Sequence, residues 1–238
     1  MTGTFDPHIE QRQVQEREAA QTKLTALLAS PTLRVVALAT TGLRNAVPVQ
    51  FVVLDGQGGV LLDTRCFTTQ PIEPDAQAMH SVKAADLEHA PSLATCLRQF
   101  EDLTSAGHDV VLFAAPWMVE SIVRACRAEG VEAFGMGHWQ SGQELLTPIC
   151  GTYNWTSGKW RPLKLTDAIG DLAVPGDFAA IGTALGNAQR LAFVLRHHGA
   201  GQVAVAPEEV QEDLGNWGAD ECARCGWPVQ ACVCVVDA

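Results

Sequence analysis

The 238-residue chain lacks any run close to the roughly 20 apolar residues needed to cross a bilayer, so no membrane-spanning helix is expected. Its N-terminus also lacks the apolar core of a secretory leader, which points to a cytoplasmic location. Positive charge is scarce: 16 Lys and Arg stand against 27 Asp and Glu, a formal net charge of −11. The densest basic cluster is only Lys159, Arg161 and Lys164. Phosphate contacts supply most of the affinity of a nucleic-acid binder. Tight, non-specific binding to DNA or RNA is therefore disfavoured, although a local basic groove stays compatible with the total. Internal repeats and low-complexity segments are absent as well. Charged residues make up 18% and apolar ones 47%, enough for a real core. The length suits one α/β domain with a small appendage.

Cysteine is plentiful, and unevenly placed. Cys66, Cys96, Cys126 and Cys150 are spread singly, whereas Cys222, Cys225, Cys232 and Cys234 crowd the last 17 residues with the spacing C-x2-C-x6-C-x-C. Zinc takes four thiolates in a tetrahedron, and a C-x2-C turn supplies two of them from one knuckle. Gly226 and Pro228 provide the turn chemistry. So short a loop cannot build a core, and a bound metal would supply most of its folding energy, roughly 10–16 kcal/mol in zinc-finger peptides. The string resembles small zinc ribbons, which implies one structural zinc and a site that does no chemistry. A disulfide pair and a site without order are the alternatives.

Hydrophobic patterning sets out the elements. Residues 8–29 predict a helix with Ala20, Leu24, Leu27 and Leu28 near one face, stopped by Pro31. Strands are predicted at 33–38, 49–55 and 59–65, the last two forming a hairpin about Gly56-Gln57-Gly58. Helices around 75–80 and 92–103 come next, then a buried strand at 109–114. Pro116 opens a helix through about residue 129. A short strand at 131–134, a helix beginning near 140, a Trp-rich excursion over 150–163 and a helix over 178–197 complete the body. Helices alternating with mixed strands indicate an α/β layer fold.

Five strings carry a more specific message. V-V-A-L-A-T-T-G-L (35–43) resembles a strand running into Asp-x-Glu-Thr-Thr-Gly-Leu. L-D-G-Q-G-G-V-L-L-D-T (54–64) resembles the hairpin that follows it. P-I-E-P-D-A-Q-A-M-H-S-V (71–82) with A-P-S-L (90–93) resembles a Pro-Ile…Ile-His-Gly-Ile…Ala-Pro stretch. V-V-L-F-A-A-P-W-M-V (110–119) stands where Asn-Ala-x-Phe-Asp follows a strand, and G-T-A-L-G-N-A (182–188) follows His-x-Ala-Leu-x-Asp-Ala. In this order and at these distances they resemble the DEDDh 3′–5′ exonucleases, the RNase T and DNA polymerase III proofreading family, over roughly residues 10–198. Trp139, Tyr153, Trp155, Trp160 and Pro162-Leu163 suggest a bacterial branch with a Trp-rich insertion.

The resemblance implies a ribonuclease H-like mixed sheet with an antiparallel hairpin, flanked by helices and followed by a small C-terminal zinc knuckle. It divides the chain into an N-terminal helix (1–30), an exonuclease-like domain (31–198), a linker with an acidic helix (199–220) and the four-cysteine tail (221–238). It also implies two divalent metals held by four carboxylates, with a His as general base. Those positions correspond here to Ala37, Ala39, Val119, Gly182 and Asn187. Mg²⁺ and Mn²⁺ require anionic oxygen, so neither is expected to bind, and no catalytic residue is assigned. The turn Thr40, Thr41, Gly42 and Leu43, together with His80, occupies positions that receive a terminal nucleotide in the family. Tyr153, Trp155 and Trp160 beside Lys159 and Arg161 could stack bases, or form the insertion's own small core.

Three functions stay in play. The first is a pseudo-exonuclease that binds a partner, a protein foremost. The second is an active exonuclease with relocated ligands (Asp55, Asp109 or Glu120) or a site completed by a partner. The third is a nucleic-acid-binding module using the vacated groove and the zinc tail.

Overall fold

The computed structural model describes residues 7–136, 138–154 and 157–200. A long helix, α1 (Pro7–Ala29), leads into β1 (Leu33–Thr40), β2 (Pro48–Asp55) and β3 (Val60–Arg65). Then follow α2 (Pro74–His80), a 3-10 turn (Ala84–Leu87), α3 (Leu93–Thr104), β4 (Asp109–Leu112) and α4 (Ala115–Glu129). The remainder is β5 (Gln140–Ser141), α5 (Gly142–Cys150), a small hairpin of β6 (Tyr153–Asn154) and β7 (Lys159–Trp160), α6 (Leu165–Ile169) and α7 (Ala184–Gly199).

The main sheet has the order β3-β2-β1-β4-β5. β1 runs antiparallel to β2 and parallel to β4, while β2 pairs antiparallel with β3 and β4 parallel with β5. β1 sits at the centre and is apolar on both faces. Because successive strand residues point to opposite sides, Leu33, Val35, Ala37 and Ala39 enter one core cluster, and Val36 and Leu38 enter the other. The first cluster is closed by Leu24 and Leu27 of α1, Leu145, Leu146 and Ile149 of α5, Ile169 of α6, and Leu191, Val194 and Leu195 of α7. The second holds Phe51 and Val53 against Leu97 and Phe100 of α3 and Ile122 and Ala125 of α4. This is a ribonuclease H-like mixed α/β sheet covered by helices on both faces.

Side-chain caps mark where three of the helices begin. Ser92 accepts from Thr95 N–H at the start of α3, Ser141 from Glu144 N–H at α5, and Thr183 from Gly186 N–H at α7.

Three expectations need correction. No strand forms at 131–134; the sheet is extended instead by Gln140–Ser141. Phe134 and Met136 are used as irregular packing against the second cluster, with Phe134 6.1 Å from the Phe100 ring in an edge contact. The last helix begins at Ala184 rather than 178, since Gly182 adopts φ +90 and Thr183 is extended. The excursion at 150–163 contains the β6–β7 hairpin, closed by pairing of Tyr153 with Trp160. The tail and most of the 199–220 linker lie outside the described residues, as does Trp155. Among the described helices, none is long and apolar enough to cross a membrane.

Candidate functional site

The five strings fall on β1 and its following turn, the β2–β3 hairpin, α2 with the segment after it, β4 leading into α4, and the first turn of α7. The topology gathers four of them around the C-terminal end of β1, while the turn of the β2–β3 hairpin lies at its other end, where Asp55 stands opposite Arg34. Ala37 and Ala39 are 3% and 4% exposed and share a cluster with Ala184 and Ala188 of α7. The floor beneath the site is therefore apolar and closely packed. Asn187, one turn into α7, turns its amide oxygen back to accept from Gly182 N–H at 3.0 Å. A single bond thus uses up two positions that the resemblance would assign to chemistry.

Gly182 itself is held tightly. Its φ of +90 lies where residues bearing a Cβ are strained. A Cβ there would stand 2.6 Å from the backbone oxygen of Met79 in the last turn of α2. No side chain fits without moving backbone, and an imidazole least of all. Val119 is half-buried and packs with the second cluster, on the face of β1 opposite Ala37 and Ala39.

The turn after β1 is well braced. Thr40 Oγ1 donates to Gly42 O at 2.8 Å, Thr41 N–H donates to Val47 O, and Val47 N–H donates to Thr41 Oγ1. The Trp117 indole N–H donates to Leu43 O at 3.3 Å, joining α4 to the turn. Glu73 N–H donates to Thr41 O, and the Glu73 carboxylate lies over the Gly42 Cα, where any Cβ would collide with it. A carboxylate thus sits directly on this turn.

His80 is buried against the same turn. Its Nδ1 accepts from Val82 N–H at 3.0 Å, which leaves the proton on Nε2 to be donated to Thr40 O at 3.0 Å. Burial lowers its pKa below the ordinary histidine value, while the bond to Thr40 works the other way. A neutral imidazole with both nitrogens engaged is a brace for the end of β1.

The carboxylates named as possible relocated ligands are spoken for elsewhere. Asp55 pairs with Arg34 in the sheet register, and Asp109 with Leu33. Both stand at the opposite end of β1, about 10–20 Å along the strand from Ala37 and Ala39 at roughly 3.3 Å per residue. Asp55 caps the hairpin turn by accepting from Gln57 and Gly59 N–H, each at 2.8 Å, and Asp109 accepts from the Ser30 hydroxyl. Glu120 is exposed and paired with Arg124 one turn along α4. Among the described residues, no three His, Cys, Asp or Glu side chains gather as a metal-holding group.

Of the aromatic candidates, the described pair Tyr153 and Trp160 forms a small core of the hairpin. Tyr153 and Trp160 meet edge to face at 5.1 Å, the Trp160 indole N–H donates to Glu16 at 2.6 Å, and Arg12 donates to the Tyr153 hydroxyl at 3.3 Å. These contacts fasten the hairpin to α1.

No protein-family model matches the chain, and no curated protein matches it in sequence. Solved structures do. A full-length 3′-exonuclease aligns with a TM-score of 0.55 at 10% identity, over 71% of this chain and 60% of that one. A 3′-exonuclease described in 3′-end-specific recognition of a histone mRNA stem-loop aligns with 0.55 at 11%, over 71% and 82%. Escherichia coli exonuclease I bound to a dT13 oligonucleotide aligns with 0.55 at 11%, over 70% of this chain and 40% of its own.

The fold is that of the 3′-exonucleases.

At such low identity the likeness fixes the exonuclease scaffold and leaves the chemistry to this chain's own residues. Two features of this exonuclease-fold site have no signal in the sequence: the Glu73 carboxylate above Gly42, and the backbone of Met79 against Gly182. Both arise from contacts between segments far apart in the chain.

Proposed function

We propose that this protein is a pseudo-exonuclease, a scaffold of exonuclease fold that binds a partner and does not hydrolyse phosphodiesters. The observation that carries the reading is the closed third motif, where Gly182 has no room for a Cβ and Asn187 is spent on the Gly182 amide. The apolar floor at Ala37 and Ala39 supports it, because two divalent cations would meet methyl groups where anionic oxygens are required. The engagement of Asp55, Asp109 and Glu120 elsewhere speaks against relocated ligands. With a net charge of −11 and Glu73 over the turn, a protein is the favoured partner.

Purified protein supplied with Mg²⁺ or Mn²⁺ is expected to leave single-stranded DNA and RNA untrimmed at their 3′ ends. Shortening above background that vanishes with EDTA and survives repurification would overturn the proposal. The solved neighbours named with an oligonucleotide or a stem-loop keep binding without cleavage as the second reading. A titration against single strands at several salt concentrations separates the two. A nucleic-acid groove gives an affinity falling with salt, with a log–log slope near −0.7 per neutralised phosphate. A protein-binding scaffold gives no such saturable binding.

The tail belongs to the same proposal. Cys222, Cys225, Cys232 and Cys234 are assigned one zinc ion, each as a thiolate at about 2.3 Å. Elemental analysis of protein purified under reducing conditions should return one zinc per chain. The Cys225→Ser variant should lose it while the body keeps its cooperative unfolding. Wild-type protein containing almost no zinc would count against the site.

A further inference from the structure

Among the described residues, β3 forms one edge of the main sheet, with β2 as its only neighbouring strand. The hydrogen bonds just beyond it show which groups face outward. Cys66 N–H donates to Val49 O on the β2 side, and Phe67 N–H donates away from β2 to Pro91 O. Partners alternate along an antiparallel strand, so Thr64 N–H faces β2 while the N–H groups of Asp63 and Arg65 point outward. No backbone acceptor among the described residues meets those two. At the start of the same strand Val60 and Leu61 are 52% and 41% exposed. An edge with free amides and large apolar side chains invites another strand.

The described chain stops at Ala200, close to where β3 begins. Arg196, in the last turn of α7, lays its guanidinium against Gly58 of the β2–β3 turn, 2.9 Å from where a Cβ would stand. The sequence continues Gly201-Gln202-Val203-Ala204-Val205-Ala206-Pro207. Val203 to Ala206 carry no charge, set β-branched residues at alternate positions and are followed by a proline that ends a strand. The position outside β3 lies two strand spacings from β2, about 10 Å, and three extended residues span about 10 Å.

We propose that residues 203–206 dock on the free edge of β3 as a sixth strand, parallel to it. Entry beside Gly58 sets the direction, because β3 also starts there. The handedness agrees. β4 crosses to β5 through α4 on the face of the second cluster. The new crossover, from β5 through α7, steps the opposite way across the sheet and uses the opposite face. The two reversals preserve the hand, and crossovers between parallel strands are nearly always of one hand. Tethering favours this occupant over a second copy of the chain, since a short link keeps it at high effective concentration.

The docking redirects the rest of the tail. Arg65 stands level with Gln50, and Gln50 with Ala39. Pro207 therefore emerges at the sheet end that carries the Thr40–Leu43 turn, and the acidic linker and the four cysteines start from that end.

The test is amide hydrogen exchange, read residue by residue by NMR, on the full chain and on a full chain carrying Ala204→Pro with Val205→Pro. Adjacent prolines remove the inward-facing N–H whichever residue supplies it. Asp63 and Arg65 should exchange at least tenfold more slowly in wild type than in the variant, while Thr64, bonded to β2, should be unchanged. Nuclear Overhauser contacts between the amides of 203–206 and those of 61–65 should appear in wild type, and they decide the matter alone if the prolines also disturb Thr64. Unprotected Asp63 and Arg65 in wild type, or equal protection in both chains, overturns the proposal. Protection that falls on dilution and ignores the prolines overturns it in favour of a second copy.

Discussion

Placing a carboxylate back at the floor of the site, as Ala37→Asp, is expected to destabilise the protein at neutral pH by about 3–5 kcal/mol, since an unpaired buried charge costs several kcal/mol. Ala37 is 3% exposed and surrounded by Val35, Val52, Ala184 and other members of its cluster, with no cationic partner in it. For a chain of this length that cost corresponds to a melting temperature lower by on the order of 10 °C. The sign with pH follows from burial. Loss of solvent favours the neutral acid, so the folded pKa of the new carboxyl stands above its unfolded value near 3.9. Below about pH 4 both states are protonated, and the difference from wild type shrinks to the cost of burying a neutral carboxyl. As the pH rises toward the folded pKa the deficit grows, then levels off. Melts of variant and wild type at about pH 4 and pH 7.5 check this. A variant as stable as wild type at neutral pH would mean that the floor is open to water or cations, and the apolar reading of the site would fail.

The second large effect is expected at Gly182. Gly182→His should cost on the order of 3 kcal/mol, combining left-handed strain of about 1–2 kcal/mol with displacement of packed backbone. The obstruction is the Met79 carbonyl oxygen, 2.6 Å from where a Cβ would stand, so the damage is done by the first side-chain carbon. Gly182→Ala should therefore be nearly as destabilising as Gly182→His, and this near-equality is the discriminating result. A histidine tolerated at wild-type stability would show that the third-motif position can accept a general base after all. The start of α7 would then be compatible with one.

Much of the scaffold is legible from residue order. The apolar runs at 33–38 and 109–114 and the Gly56-Gln57-Gly58 turn are local signals, and they become β1 (Leu33–Thr40), β4 (Asp109–Leu112) and the β2–β3 connection. Pro116 near the start of α4, Ser92 before α3 and Gly130 after α4 mark helix ends by the usual chemistry of caps and breakers. The misplaced strand at 131–134 has a clear reason. Val131 and Phe134 carry strand-like composition, but their side chains are wanted by the core around Phe100, and no strand edge stands opposite their backbone. Gln140 and Ser141 look unlike a strand yet lie beside β4, where they pair. The last helix reads as too long because residues 178–183 have no strong breaker except Gly182, whose positive φ is imposed by its neighbours.

The sequence by itself determined which side chains stand at the positions resembling the exonuclease motifs. Ala37, Ala39, Val119, Gly182 and Asn187 are covalent facts, and no folding can give a methyl group the charge of a carboxylate. It also determined the spacing of the four tail cysteines. Tertiary structure alone decided what those substitutions became: a floor packed against α7, a glycine closed in by Met79, an asparagine turned inward to cap it. It likewise set Glu73 over Gly42. These pairings join segments tens to more than a hundred residues apart. Their geometry depends on the register of β1 with β2 and on where α2, α3 and α7 come to rest upon the sheet, information that no local stretch of sequence contains.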